Sequence, residues 1–570
     1  MRSYATTVTT FPLIRRLIHA FGFPTPIRYT ADLWGAGAPN YVSVGERVKT
    51  AQFSVASDAA GVDGGALLEF VADGATAPDA VSGVNSDGYI YSSGVASSAK
   101  KWRIVPQMGE ISVFQFGAMG DLVADDSDAI EAGNALAREL DSVSLVLAGE
   151  MRTTRTITFT CASVVGANAQ IVKDISDSAV VKFSGPPSAA NGRFRELRGI
   201  LTVRHDSLPT ALQTSAHGVL LDNVIDASFA ALRIGNCAYG IVNDISGGLG
   251  QSWRNSFDLL YLRGCRQGFL NWAFDGSGAH TENYFAAIYF TGKEWDNETR
   301  VVCEDSPCRL QNCEGFTFGT FNYEWVDANG ADFFTLIDDT TVVIESLHFE
   351  GNEKHDSGDT ALFNCSNAGT LKTNVNVTNL QLQAFVQTGG TFSLFRTTTD
   401  TKGAGRIGTI SSKPSGNTFT DFRVFNANSK FSVDIGASAA LGDYITSVRQ
   451  GALPADFTPV VWGASGPYET TNFISNPGTT IDIGKASYMR LNGAAPGSAV
   501  TDIITTARDP LETMRYVVLE NNTGGIIYFT NTGNLSRPRS TGWDVPLTPG
   551  DIAVILVFPG GNAYILMVTT

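Results

Sequence analysis

The segment Phe229-Ala-Ala-Leu-Arg-Ile234 returns as Phe257-Asp-Leu-Leu-Tyr-Leu262 and as Phe285-Ala-Ala-Ile-Tyr-Phe290, at a constant spacing of 28 residues (257 − 229 and 285 − 257). At the end of each copy a polar or amphipathic residue stands between two apolar ones, which is typical of a β-strand with one face turned inward. A strand-sized unit repeated at this period indicates a solenoid, in which successive turns of the chain stack on one another. The sequence therefore predicts a parallel β-helix.

The same alternation continues beyond the three copies. The six matching triplets are Leu232-Arg-Ile234, Leu260-Tyr-Leu262, Ile288-Tyr-Phe290, Phe321-Asn-Tyr323, Leu347-His-Phe349 and Leu380-Gln-Leu382. The later triplets are unequally spaced, at 33, 26 and 33 residues from Ile288 onward. Unequal spacing implies loop insertions between strands, and insertions on one face of a solenoid often line a binding surface.

Composition and charge exclude several classes of function. The chain has 570 residues and a net charge of −16, and it lacks the basic stripe that binding to nucleic acid requires. No apolar run approaches the roughly 18 residues of a membrane span. Arg15, Arg16 and His19 interrupt the apolar residues near the N-terminus, so we expect no export signal. We predict a protein with no nucleic-acid partner and no membrane insertion.

Seven cysteines are too few and too irregularly spaced for a disulfide framework in a chain of this length. Cys237 and Cys265 share one register of the repeat, which predicts stacked, buried thiols. Cys303, Cys308 and Cys313 invite a zinc interpretation, but they lack the tight paired spacing and a clear fourth ligand. We therefore expect reduced structural thiols, and we predict no metal and no other cofactor.

The chain divides into four regions by pattern. Residues 1–110 are rich in Gly, Ala and Ser and predict a small N-terminal module, whereas 111–150 contain a helix that opens near Asp126 with apolar residues at helical spacing. Residues 151–435 read as successive β turns. Residues 436–570 lose the repeat and predict an antiparallel C-terminal β-sandwich of jelly-roll type. The fold class is all-β.

The segment between the first module and the repeats carries a family resemblance. Val113-Phe-Gln-Phe-Gly-Ala-Met-Gly-Asp121 followed by Asp125-Asp-Ser-Asp-Ala-Ile130 resembles the opening signature of the pectate-lyase-like β-helix superfamily in phage tailspikes, usually FGA-x-GDG followed by TDDT-x-A-I. The chain departs from this signature at Leu122, where Gly is common, and at Ala124 and Ser127, where Thr is common.

This resemblance implies a homotrimeric bacteriophage tailspike, made in the host cytoplasm and carried on the phage tail. Residues 1–110 would anchor it to tail or baseplate proteins, and a right-handed β-helix would recognise and usually cleave a bacterial surface polysaccharide, either capsule or O-antigen. The C-terminal domain would aid trimerisation or carbohydrate binding. We expect Asp121, Asp125 and Asp126 to be structural, because the start of a helix by itself explains acidic residues.

The outward positions of the six triplets define two columns of side chains. The first column is Arg233, Tyr261, Tyr289, Asn322, His348 and Gln381, and the second, two residues further along each strand, is Gly235, Arg263, Thr291, Glu324, Glu350 and Gln383. Glu324 and Glu350 are thus predicted on adjacent turns. Asp327 and Glu353 follow them by three residues each.

Glycoside hydrolysis typically uses two carboxyl groups, about 5 to 9.5 Å apart, on either side of the scissile bond. The predicted catalytic residues are Glu324, Glu350, Asp327 and Glu353, because crowded carboxylates raise one another's pKa and so keep one protonated. The predicted substrate-binding residues are Arg233, Tyr261, Arg263, Tyr289 and His348: the tyrosines offer faces for sugar rings, the arginines could grip acidic sugars, and His348 could orient the substrate or act as a base. Trp325 could serve as a platform for a sugar ring, but strand alternation favours an inward side chain and so predicts that it packs in the core.

Three functions stay open on the sequence. The first is an endo-acting glycoside hydrolase on a surface polysaccharide, and the second is a polysaccharide lyase, for which Arg263 and His348 would neutralise a uronate and act as a base. The third is a receptor-binding spike without catalysis, in which the outward acids are solvated or are buried between subunits. The proposed site depends on the register, because a slip by one residue turns each outward side chain inward, whereas the fold would survive such a slip.

Overall fold

The structure, a computed structural model, describes residues 99–185, 194–243, 252–273, 282–327, 331–354, 358–367, 371–397 and 401–412, together with the shorter strands named below and a few residues beside them. The chain divides into two compact units, Met1–Asp327 and Ala328–Thr570. Each unit contains its own series of parallel β-strands.

The first unit contains one α-helix among the residues described, α1 Ser127–Leu140, and a short 3₁₀ helix, Val113–Phe116. Its strands are β1 Thr25–Tyr29, β2 Arg47–Gln52, β3 Leu67–Gly74, β4 Ile90–Ser93, β5 Ala99–Ile104, β6 Glu110–Ser112, β7 Asp121–Asp125, β8 Ser144–Leu147, β9 Glu150–Thr153, β10 Ile157–Phe159, β11 Ser163–Lys173, β12 Val181–Ser184, β13 Glu196–His205, β14 Val219–Asp222, β15 Ser228–Asn243, β16 Ser256–Ala273, β17 Tyr284–Thr291, β18 Cys308–Gln311 and β19 Phe316–Glu324.

In the second unit, the secondary structure of the described residues consists of β-strands. They are β20 Phe334–Ile337, β21 Thr340–Glu350, β22 Glu353–Lys354, β23 Asp359–Ser366, β24 Thr373–Gln383, β25 Val386–Gln387, β26 Thr391–Thr397, β27 Lys402–Ser412, β28 Phe422–Asn426, β29 Lys430–Ala439, β30 Ile445–Gln450, β31 Val460–Trp462, β32 Phe473–Ser475, β33 Thr480–Asp482, β34 Tyr488–Gly493, β35 Asp502–Ile504, β36 Arg515–Thr523, β37 Ile527–Phe529, β38 Leu535–Ser536, β39 Val545–Leu547, β40 Ile552–Val557 and β41 Ala563–Thr569.

From β6 to β19 the first unit is a parallel β-solenoid. Strands pair in parallel with the strand one coil further on, for example β10 with β12, β11 with β13 and β17 with β19. Such skipped pairing arises when each coil contributes more than one strand, because every strand then meets its equivalent in the next coil. Ahead of the solenoid, β1 to β5 form a separate five-stranded sheet in which only the β1–β2 pair is parallel.

Stacked phenylalanines confirm the register predicted from the 28-residue repeat. Phe229, Phe257 and Phe285 are direct partners on β15, β16 and β17, and all three are buried. Their rings lie 4.5 and 4.7 Å apart with interplanar angles of 6° and 5°, and Phe318 on β19 extends the stack. Burying each ring contributes roughly 1.5–3 kcal/mol. A slip by one residue would move the whole stack to the surface, so the inward face is strongly specified.

The cysteines are buried, as predicted for Cys237 and Cys265. These two are register partners on β15 and β16, and their Sγ atoms lie 3.4 Å apart. All seven cysteines are buried and free of disulfides. Burial raises the pKa of Cys161 and of Cys303 to about 12, so these thiols stay protonated near neutral pH.

The acidic motif at the start of α1 has a structural role, as predicted, but the side chain of the N-cap residue Asp126 makes no capping hydrogen bond to the helix. The Asp126 carboxylate accepts hydrogen bonds from the backbone N–H groups of Met119 (2.6 Å) and Gly120 (3.2 Å), and burial raises the pKa of Asp126 to about 6. Asp125 accepts from Ser127, and Asp121 accepts from the backbone N–H groups two and three residues on. The carboxylates thereby fix the turns at the two ends of β7, immediately before the helix.

The second unit continues the same kind of pairing. Strand β21 pairs with β24 over nearly its whole length, including Leu347 with Leu380 and Glu350 with Gln383. Within the sheet that contains these strands, parallel pairing extends through β29 and β31 to Trp462. Beyond it, β36 pairs in parallel with β34 and antiparallel with β40, so this sheet is mixed. The C-terminal sandwich, the right-handed coil, the homotrimer and the four domain boundaries stay predictions.

Among the described residues, no helix combines the length and the apolar character that crossing a membrane requires.

The buried residue His205 makes the free energy of unfolding depend on pH, and this dependence can be measured. It is fully buried on β13, in register with Lys173, and burial together with the nearby lysine lowers its pKa to about 4. An unfolded histidine titrates near 6.5. Between pH 6.5 and 4 the unfolded chain therefore binds a proton that the folded chain does not, and the free energy of unfolding falls by up to about 3 kcal/mol as the pH drops through this window.

In the variant His205→Leu this contribution disappears. We expect a shallower dependence of the unfolding free energy on pH between 6.5 and 4, measured by urea denaturation at several pH values. The slope is the readout, because the substitution also changes packing at every pH. Equal slopes in the variant and the unmodified protein would contradict the prediction.

Candidate functional site

The two outward columns form as predicted within the first unit. On β16, β17 and β19 the partners in the first column are Tyr261, Tyr289 and Asn322, and those in the second are Arg263, Thr291 and Glu324. The residues between them, such as Leu262 and Phe290, are buried. The sequence pattern thus places a row of aromatic and charged groups on the outer surface of the coils.

A pocket of about 180 Å³ lies over these columns. Its lining is contributed by three strands and by the loop that follows β17, and consists of Tyr261, Arg263, Tyr289, Phe290, Thr291, Lys293, Glu298, Glu324 and Trp325. Aromatic rings, two cations and two carboxylates thus surround one small volume on the side of the solenoid.

The loop of residues 292–300 is tied down to the strands beneath it. Arg263 donates from Nε to the carbonyl of Glu294 and from Nη2 to the carbonyl of Asn297, both at 2.5 Å. The backbone N–H of Trp295 donates to Oδ1 of Asn236 at 3.2 Å. These bonds span strand and loop, so the loop forms a fixed wall of the pocket.

Gly235 allows the close approach of this loop. A Cβ atom at position 235 would lie 2.2 Å from Cε3 of Trp295, so the indole ring rests directly on the backbone of β15. The same ring stands edge-on to Tyr261, with centroids 6.3 Å apart. Position 235, at the start of the second column, therefore needs a glycine, because a larger residue would exclude the loop.

The two cations of the pocket share one carboxylate. Glu298 accepts from Nη2 of Arg263 at 2.9 Å and also contacts Nζ of Lys293. Hydrogen bonds and charge from Lys293 and Arg263 hold the pKa of Glu298 below its usual range. Burial lowers the pKa of Arg263, but Glu298 and Tyr261 outweigh it and the net shift is upward. Both partners are therefore charged over the ordinary pH range.

Trp325 lies at the surface, so the prediction that it packs in the core is wrong. Strand β19 ends at Glu324, and Trp325 has a left-handed φ of 58° that breaks the alternation. The following Val326 is buried in its place, and Trp325 is 36% exposed. The ammonium of Lys293 lies 4.7 Å from its ring centroid, a cation–π arrangement that orients the indole at the pocket.

Glu324 is half-buried at the end of β19 and lines the pocket. Asn322, its neighbour two residues back on the same face, donates from Nδ2 to Oε1 of Glu324 at 2.6 Å. This bond fixes the direction of the carboxyl group. Neighbouring positions of the two columns thus supply both the acid and the group that orients it.

Three other carboxylates were predicted as catalytic residues, namely Asp327, Glu350 and Glu353. Asp327 does not line the pocket, and its backbone instead forms a bridge with Val302. Glu350 and Glu353 belong to the second unit, where Glu350 accepts from Gln383 at 2.7 Å and lies 3.2 Å from Nε2 of His348. The pairing of Glu324 with Glu350 stays a prediction.

Four predicted site residues meet in the pocket, namely Tyr261, Arg263, Tyr289 and Glu324. Arg233 is an exposed register partner of Tyr261 but does not line it. Lys293 and Glu298 were not predicted as site residues, because they belong to the insertion after β17 rather than to a strand. The unequal spacing and the mixture of charged and aromatic residues in Lys293-Glu-Trp-Asp-Asn-Glu298 were the available signal.

The fold and this pocket define an all-β parallel-solenoid protein with a polar, aromatic site on the side of its coils. No protein-family model and no curated protein matches the sequence. Matching solved structures include the enzymatically active domain of tailspike protein 2 of bacteriophage CBA120, at 12% identity and a TM-score of 0.45, covering 97% of this chain and 81% of that one.

Two further matches are also phage tailspikes. The enzymatically active domain of tailspike protein 4 of bacteriophage CBA120 has 12% identity, a TM-score of 0.38 and coverages of 99% and 66%. Tailspike protein gp49 of the Acinetobacter baumannii bacteriophage Fri1, described as a capsular polysaccharide depolymerase, has 11% identity, a TM-score of 0.30 and coverages of 96% and 91%. These TM-scores are below 0.5, so the matches imply no activity for this chain.

The variant Gly235→Ala tests whether the loop wall depends on the missing side chain. The added Cβ displaces the Trp295 ring, and we expect local opening of residues 292–300 to become easier by roughly 1–3 kcal/mol. Hydrogen exchange of this loop measures the change. In a Trp295→Ala background the same substitution has no ring to displace and adds little. Unchanged exchange after Gly235→Ala alone would contradict this role of the glycine.

Proposed function

We propose that this protein is a phage tailspike that binds a bacterial surface polysaccharide in the pocket of the first unit and cleaves it by endoglycosidic hydrolysis. The observation that supports this most directly is the meeting of exposed aromatic rings with the half-buried carboxyl group of Glu324 on the outward face of the coils. The tailspike assignment is supported by the parallel solenoid and by the resemblance of the segment 113–130 to the opening signature of such proteins.

Binding follows from the aromatic lining. Tyr289 is 40% exposed, so its ring is open to a ligand. Trp325 is 36% exposed, with the cations of Lys293 and Arg300 over its ring, so a ligand would meet the part of the indole that they leave open. Such rings combine an apolar face with a polar tip, which suits the apolar faces and hydroxyl groups of a sugar. The pocket volume of about 180 Å³ is below the roughly 300–1,000 Å³ that is usual for drug-sized ligands, which suits a single sugar ring better than a longer segment. The rest of a long glycan would extend along the neighbouring coils.

Hydrolysis needs two carboxyl groups, one that protonates the glycosidic oxygen and one that acts as nucleophile or activates water. We assign one of these roles to Glu324, whose direction Asn322 fixes. Glu298 is a poor candidate for the acid, because Lys293 and Arg263 keep it ionised. Glu350 is the second carboxyl group that the sequence register supplies for this proposal.

A polysaccharide lyase is the second candidate, and the presence of Arg263 and Lys293 beside Tyr289 favours it. Cations neutralise the carboxylate of a uronate and so ease removal of the adjacent proton, which a base must accept. The products separate the two reactions, because a lyase leaves an unsaturated sugar that absorbs ultraviolet light and a hydrolase does not.

The test is to incubate the protein with surface polysaccharides from a panel of bacterial hosts. The chain length of each polysaccharide and the number of new reducing ends are then measured. We expect one polysaccharide to be shortened. We expect Glu324→Gln to lower the initial rate by about 10²- to 10⁴-fold while binding is retained, because the amide keeps the shape but cannot exchange a proton. Glu350→Gln should act similarly if the predicted pair is correct.

The matched control is Glu345→Gln, which removes an exposed outward acid on β21 and should leave the rate unchanged. A polysaccharide that is bound but never shortened would sink the enzymatic function and leave a receptor-binding spike. Full activity in Glu324→Gln would instead show that Glu324 takes no part in the reaction.

A further inference from the structure

Glu298 stands out among the pocket residues by its exposure. Its side chain is 72% exposed, whereas the side chains of its partners Arg263 and Lys293 are 19% and 21% exposed. The two cations are therefore built into the wall, and the carboxylate that joins them approaches from the solvent side. An exposed ion pair contributes little to stability, because water and salt screen it.

The two cations form a position for one carboxylate. Arg263 donates to Oε1 of Glu298, and Lys293 contacts Oε2, so both oxygens of a single carboxylate are used. Two cations that share one carboxylate make a strong and directional anion site, because each hydrogen bond is charge-assisted. The geometry matches the carboxylate of an acidic sugar as well as that of a glutamate.

Both cations have contacts besides those to Glu298. Arg263 is also held by the carbonyls of Glu294 and Asn297, and Lys293 lies over the ring of Trp325. Departure of the glutamate would leave these contacts intact. The site would then offer two oriented, half-buried positive charges beside the aromatic rings.

We propose that Glu298 occupies the anion position of the pocket as an internal stand-in, and that the ligand is a glycan whose sugar carboxylate displaces it. This inference rests on the proposed function for the glycan class and adds the charge of the bound sugar. Because Glu298 stays ionised, it competes with that carboxylate over the whole neutral range. A neutral sugar neither displaces the glutamate nor gains from its removal.

The test uses the full-length protein and saturation-transfer NMR with single sugars. The acidic probes are D-glucuronate, D-galacturonate and N-acetylneuraminate, and the neutral probes are D-glucose, D-galactose and N-acetylglucosamine. We expect at least one acidic probe to bind the unmodified protein, and to bind Glu298→Gln about two- to fivefold more tightly. Affinity for the neutral probes should not change.

The matched control is Glu294→Gln, which removes the same charge from the same loop. Glu294 does not line the pocket, and its carboxylate accepts from Asn297 at 2.5 Å instead. We expect no gain in affinity for acidic sugars in this variant. A gain of equal size would show a general effect of net charge and would overturn the proposal.

A second variant, Lys293→Gln, removes one of the two cations and keeps the backbone contacts of Arg263 to the loop. It should weaken binding of the acidic probe, and raised salt should do the same. If the affinities for the acidic and the neutral probes changed equally in every variant, the proposal would be overturned. Loss of acidic binding in Glu298→Gln would also overturn it, since this would make Glu298 a support of the site rather than a competitor.

These outcomes are separate from those of the proposed function. Binding of an acidic sugar without shortening of any polysaccharide would support the stand-in and contradict hydrolysis. Cleavage confined to neutral polysaccharides would support hydrolysis and contradict the stand-in.

Discussion

Parallel backbone pairing at fixed register is the constraint on which the rest of this protein depends. Each hydrogen-bonded ladder sets successive coils ~4.8 Å apart and leaves no freedom to shift one strand by a single residue. The inward rings of Phe229, Phe257 and Phe285 make such a shift costly, since all three would move into water together. The same ladders place Tyr261 beside Tyr289 and Thr291 beside Glu324 on the outside. Core packing and site geometry thus have one cause.

The pocket itself needs more than the ladders, because strands alone give a flat surface. Concavity comes from residues 292–300, which rise beside the columns and are bound back to them by Arg263 and Asn236. The contact requires a glycine at 235, where the Trp295 ring meets bare backbone. Arg263 therefore has two roles. It holds the loop by donating to backbone carbonyl groups, and it places a positive charge in the pocket, where it pairs with Glu298.

The sequence was sufficient to predict the fold class, the register within each unit, the stacked thiols of Cys237 and Cys265 and the structural role of the acidic motif, because all of these follow from short-range patterns. It was insufficient wherever the chain leaves the strand. Alternation failed at Trp325, since a left-handed residue after β19 turns the side chain outward. The pairing of Glu298 with Arg263 was also hidden, because an ion pair across 35 positions leaves no periodic trace.

The loop after β17 lies outside the hydrogen-bonded strand ladders, so its sequence can vary during evolution without disturbing them. Solenoid coils contact only their neighbours, and surface loops tolerate insertion and substitution far better than the strands that carry them. Residues such as Lys293 and Glu298 are therefore free to change while the phenylalanine stack below stays constant. A lineage that carries this frame can alter the chemistry of its pocket through a few loop codons, without refolding the scaffold and without losing the row of side chains beneath.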